Sequence, residues 1–67
     1  MVTFGERLRM LRTEHNLTQK MLAVLFNVSQ ATVADWERGI TETSFETLIA
    51  LSRYFSVSTD YLLGIED

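Results

Sequence analysis

The sequence contains no cysteine and no proline, and only three of its 67 residues are glycine. Without cysteine, neither a disulfide nor a thiolate metal site can staple the chain, which fits a reducing compartment. Without proline, and with 46% hydrophobic against 22% charged residues, the composition suits a compact bundle of helices and argues against disorder. Basic residues are also scarce: six Lys and Arg against nine Asp and Glu give a net charge of −3. No apolar run approaches the ~18 residues of a membrane span, and no basic segment followed by an apolar signal region opens the chain. There is one histidine, His15, with no glycine-rich phosphate loop and no paired ligand spacing, so no catalytic, metal or cofactor site is expected. The expectation is a cytoplasmic, non-enzymatic, all-α chain forming one domain over residues 1–67. A domain of this size buries only about 60% of its unfolded surface. Its core has to be efficient.

The stretch from Val28 to Gly39 carries a helix start signal, a stop signal and two unlike faces. The Ser29 hydroxyl can accept from a backbone N–H two or three residues on, and Gly39 can take the left-handed conformation that ends a helix. With about 3.6 residues per turn, a helix from Gln30 to Arg38 puts Val33, Trp36 and Glu37 on one side. Gln30, Ala31, Ala34, Asp35 and Arg38 fall on the other. Trp36 is expected to pack. The outer face presents an amide, methyl groups and a carboxylate, which can read base edges in a major groove.

Thr3 is positioned to cap a first helix, with Phe4, Leu8 and Leu11 as its buried stripe and His15-Asn16 as its stop. His15 is expected to be a solvated side chain at the helix's negative end. Leu17 should turn inward, and Thr18 should cap a second helix from Gln19 to about Phe26 that packs through Leu22, Ala23 and Phe26. The small Ala23 lets the next helix cross closely. Asn27 stops the second helix, Val28 points inward and Ser29 starts the third, so this short, steep connection reads as a helix-turn-helix. Ile40 to Thr43 form a polar turn. Ser44 caps a fourth helix whose expected stripe is Phe45, Leu48, Ser52 and Phe55 with Leu51 beside it. Ser56 breaks that helix, Val57 points in, and Ser58 caps a last helix from Thr59 to about Leu63, ended by Gly64.

Several segments together resemble the helix-turn-helix regulators of the phage Cro and CI type, the XRE-like family, over nearly the whole chain. They are Gly5-Glu6-Arg7-Leu8-Arg9, Leu17-Thr18-Gln19, Leu22-Ala23, Val28-Ser29, Trp36-Glu37-Arg38-Gly39, Phe45-Glu46-Thr47-Leu48 and Val57 to Gly64. The resemblance implies a compact five-helix bundle of the lambda-repressor-like DNA-binding type, with helices 2 and 3 forming the helix-turn-helix. It implies a transcriptional repressor that binds double-stranded operator DNA as a symmetric homodimer. Base reading would fall to Gln30, Ala31, Thr32 and Asp35, led by Gln30, since glutamine can bond adenine N6 and N7 together. Phosphate contacts would fall to Arg9, Thr18, Gln19, Lys20, Ser29 and Arg38. Arg12 and Glu37 match a pair that forms an internal salt bridge in the family. Arg7 is read as either basic support or a plain solvated residue. Tyr61 and Ile65 lie in the region, Ser56 to Ile65, where related domains often meet. In many larger relatives a further C-terminal domain follows the position of Leu62-Leu63-Gly64.

Two features depart from that pattern. The loop Ile40-Thr41-Glu42-Thr43 lacks the basic residues and proline often found there, and Met10, Met21, Val24 and Leu25 are apolar where the family is usually polar. Met21 and Leu25 lie one turn apart and should expose an apolar ridge. This ridge motivates a rival reading: a protein-interaction module, an antitoxin-like or anti-repressor partner, that uses the Met10, Met21, Val24 and Leu25 surface. Asp35 brings negative charge toward a groove. A reader of this kind would gain specificity by rejecting wrong sites.

Overall fold

Hydroxyl side chains start every helix in the computed structural model, which describes residues 2–67. Thr3, Thr18, Ser29, Ser44 and Ser58 each accept a hydrogen bond from the backbone N–H three residues on, at 2.9–3.2 Å. They cap α1 (Phe4–Glu14), α2 (Gln19–Leu25), α3 (Gln30–Arg38), α4 (Phe45–Tyr54) and α5 (Thr59–Leu62). Each cap of this kind contributes roughly 1 kcal/mol. That matters for helices of four to eleven residues, which are too short to persist alone. At α1 the Glu6 carboxylate answers the cap by accepting from the Thr3 backbone N–H and hydroxyl, and these bonds hold its pKa below the ordinary value.

The helix ends repeat one motif. After each helix a residue with positive φ turns the chain: Asn16, Asn27, Gly39, Ser56 and Gly64. The next N–H then reaches back to a carbonyl five residues earlier, as in Leu17 to Arg12, Val28 to Ala23, Ile40 to Asp35, Val57 to Ser52 and Ile65 to Asp60. The residue making that bond is apolar in all five cases. Leu17, Val28 and Val57 pack against the core and pin their turns, the hydrophobic contact that accompanies such caps. Ile40 and Ile65 are left exposed.

The core is built from Leu8, Leu11, Leu22, Ala23, Val33, Trp36, Leu48, Leu51, Phe55 and Leu62. α3 lies against α1 and α2, and α5 against α1 and α4. Ala23 is buried where α2 meets α3. Gly5 permits an even closer approach: a Cβ there would stand 2.5 Å from the carbonyl oxygens of Trp36 and Glu37. α1 therefore rests on the backbone of the last turn of α3. No helix is long and apolar enough to cross a membrane among the described residues.

Three expectations need correction. Phe45 is not part of the α4 stripe but is 84% exposed, because a first-turn side chain tilts back past the helix start and here clears the core. α1, α2 and α5 stop one or two residues early, because His15, Phe26 and Leu63 serve as caps. Arg7 is neither solvated nor basic support: it is 5% exposed. His15 is exposed, yet its Nδ1 lies 2.8 Å from the Leu11 carbonyl and its ring meets Phe55 edge-on.

Gly5→Ala should lower stability by about 1–3 kcal/mol, the usual cost of overpacking a filled contact. Urea titration followed by circular dichroism measures this. An unchanged midpoint would refute the contact.

Candidate nucleic-acid interface

α3 presents two faces because its apolar residues fall at three-residue spacing. Val33 and Trp36 are sunk into the core, at 0% and 4% exposure. The opposite face carries Gln30, Ala31 and Arg38 exposed, with Thr32, Ala34 and Asp35 half-buried. Ser29 caps the helix, and its hydroxyl lies 2.9 Å from the Thr32 hydroxyl, which draws Thr32 toward the helix start. Arg38 donates to Asp35 at 2.8 Å. Such an exposed pair contributes only about 0–1 kcal/mol, but it neutralises locally the negative charge expected of Asp35. One N–H of Arg38 is thereby committed within the helix.

Beneath that face the first three helices share a polar network. Arg12 donates from Nε to Glu37 Oε2 at 2.6 Å, from Nη2 to Glu37 Oε1 at 3.1 Å, and from Nη1 to the Leu17 carbonyl at 2.8 Å. The two side chains are only 11% and 4% exposed. Gln19 donates from Nε2 to Glu37 Oε1 at 3.1 Å. The carboxylate on α3 therefore binds the guanidinium from α1 and the amide from the first residue of α2.

On α2, Thr18 caps the helix and Lys20 is exposed, while Arg9 is exposed on α1. The apolar ridge exists: Met10, Met21, Val24 and Leu25 are between 46% and 75% exposed. Met21 also contributes locally, since its sulfur accepts from the Thr18 N–H at 3.5 Å where a cap would ordinarily use a glutamate. Tyr61 is half-buried, with the Arg7 guanidinium 3.9 Å above its ring, whereas Ile65 is 72% exposed. Arg7 donates to the Glu66 carbonyl at 3.3 Å, its Nε has no partner, and no carboxylate pairs with it among the described residues. The sequence did hold a signal for this burial. Arg7 stands three residues after Phe4 and four before Leu11, on the apolar stripe itself.

Breaking the buried pair should be costly in a way that removing it is not. Arg12→Met leaves Glu37 buried and uncompensated and should cost about 3–5 kcal/mol, whereas Arg12→Met with Glu37→Leu should recover most of that loss. Chemical denaturation of both variants checks this. Equal losses would sink it.

Comparison with known proteins bears on the whole arrangement. A helix-turn-helix family model matches residues 8–62. The HTH-type transcriptional activator BcrR of Enterococcus faecalis is 42% identical over 64 residues, covering 96% of this chain and 31% of that protein. Repressor protein C2 of Salmonella phage P22 is 41% identical over 59 residues, covering 88% and 27% respectively. The chain thus spans less than a third of the length of either curated relative. Among solved structures, the P22 c2 repressor in complex with a synthetic operator superposes with a TM-score of 0.88 at 36% identity, covering 98% of this chain and all of that one. A transcriptional regulator from Listeria innocua gives a TM-score of 0.89 at 40% identity, covering 97% and 61%. Five capped helices, a buried α2–α3 crossing and a family match over most of the residues lead to one assignment: the chain belongs to the helix-turn-helix family of phage-repressor-like regulators.

Proposed function

We propose that residues 1–67 act as one DNA-binding domain of a cytoplasmic transcriptional repressor, which sets α3 in the major groove of a double-stranded operator. The observation that carries this reading is the division of α3, with Val33 and Trp36 fully packed and Gln30 and Ala31 free on the opposite side. A helix held that rigidly can offer short polar groups to base edges without losing much side-chain freedom. Gln30 bonds an adenine edge, Ala31 and Thr32 meet a thymine methyl or a phosphate, and Asp35 accepts from cytosine N4 or rejects other bases. Arg9, Lys20 and Arg38 supply charge toward phosphates, with Thr18, Gln19 and Ser29 as polar contacts. The likeness to an operator-bound repressor supports this reading. Relatives named as transcriptional regulators do not favour the rival reading of a module that has given up DNA.

With a net charge of −3, one copy grips the backbone weakly, and a second copy doubles the contacts. Half-sites one helical turn apart set two recognition helices roughly 34 Å from each other, and each domain measures 27 × 23 × 21 Å. That spacing is of the order of one domain's own length, which leaves two copies close enough to meet. Ile65 is exposed for such a contact, whereas the Arg7 side chain covers one face of the Tyr61 ring. Phe45 and Leu63, both exposed, line a recess together with Phe4 and Leu48.

Selection from a random duplex pool should enrich one sequence, and Gln30→Ala should relax preference at one base position by about 1–3 kcal/mol. Arg9→Ala should weaken binding uniformly and reduce the salt slope by about 1. A pool without enrichment, together with unchanged retention by Arg9→Ala, overturns the DNA reading. Sedimentation on a palindromic duplex should show two copies, reduced to one by Ile65→Lys. A wild-type monomer both free and on that duplex excludes the dimer.

A further inference from the structure

The bond from Gln19 to Glu37 is not needed to satisfy the ion pair, because Arg12 already engages both carboxylate oxygens. It does settle the state of Gln19. A carboxylate is an acceptor only, so Glu37 Oε1 takes an N–H of the Gln19 amide at 3.1 Å. The flipped amide would set oxygen against oxygen. Nε2 has two N–H groups, of which Glu37 uses one. The other is left to donate, and the long glutamine side chain is already ordered before any ligand arrives. Glu37 can do this only while its own charge is balanced, and it sits 4% exposed against Arg12.

We infer that Glu37 is a positioning residue for phosphate binding: it fixes the Gln19 amide as a donor, and Arg12 keeps the carboxylate in place to do so. This inference rests on the DNA-binding reading, in which Gln19 contacts a phosphate. Because Glu37 lies on α3 and Gln19 opens α2, the backbone grip of one helix is tied to the seating of the helix that reads bases. A glutamine ordered in advance loses less freedom on binding than a free one. The advantage should disappear when Glu37 does, even if the fold remains.

A double-mutant cycle separates the outcomes. Binding of a fluorescein-labelled duplex from the enriched pool is measured for wild type, Gln19→Ala, the pair variant Arg12→Met/Glu37→Leu, and the triple variant. Gln19→Ala should weaken binding about 10-fold in the wild-type background, as for loss of a hydrogen bond to a charged group, and about 2-fold or less in the pair variant. Equal losses in both backgrounds overturn the positioning role while leaving DNA binding intact. No loss in the wild-type background removes Gln19 from the phosphate contacts, and the inference with it. Absence of any salt-dependent binding by the wild type instead defeats the DNA reading itself. If the pair variant does not fold, NMR of the free wild-type protein decides. The Gln19 carboxamide protons should be displaced from those of the exposed Gln30, and coincidence of the two pairs overturns the proposal.

Discussion

The guanidinium of Arg12 and the carboxylate of Glu37 meet almost out of solvent, and three helices meet with them. Removing two charges from water is expensive, and their attraction alone does not always offset that cost. Here the geometry is favourable: two parallel N–H to oxygen bonds, a third guanidinium bond to the Leu17 carbonyl, and an amide from Gln19 on the same carboxylate. Every one of these bonds crosses between elements or ends in a turn. A shift of α3 against α1 would break several at once, whereas packed leucines could slide. The pair therefore sets orientation more than it adds stability.

Gly5 acts on the same seam from the backbone side. Its missing Cβ lets α1 rest on the carbonyls of Trp36 and Glu37, about two turns along α1 from Arg12. The last turn of α3 is thus held by a side-chain network and by direct backbone approach. Its first turn is held by Ser29 and by Val28, whose side chain packs against the core. Both ends are anchored while the outer face stays open. Rigidity of this kind suits a recognition helix, because imprecise placement of short side chains would blur any preference between bases.

Charge explains what the rigidity is for. A domain with more acidic than basic residues cannot rely on phosphate attraction, the term that usually dominates affinity for nucleic acid. Asp35 shares its charge with Arg38 in the free molecule, so the outer face of α3 is close to neutral rather than repulsive. In the proposed DNA-binding role, pre-ordered polar contacts and a second copy would both offset a weak field without adding cations. The exposed Met21, Val24 and Leu25 ridge lies on the outer side of α2 and takes no part in this scheme.

Helix starts, stops and the turn of the helix-turn-helix are legible in the sequence because they are local. A hydroxyl three residues before its backbone partner, or an asparagine or glycine at a positive φ, is decided within one turn of chain. Much of the core is legible for a related reason, since three- and four-residue spacing puts Leu8, Leu11, Leu22, Val33, Trp36, Leu48 and Leu51 on inward faces. Spacing alone fails at element ends, where Phe45 belongs to the stripe by number yet tilts clear of the core. It also gives no hint that the Tyr61 ring and the Glu66 carbonyl, more than fifty residues away in the chain, would cover Arg7. The closeness of Gly5 to α3 and the grasp of Gln19 by Glu37 are likewise products of the assembled bundle. By itself the sequence determined where helices begin and end and which faces are apolar. The packing of α1, α2 and α3 decided which polar groups are buried together, because that depends on distances between segments that no local pattern encodes.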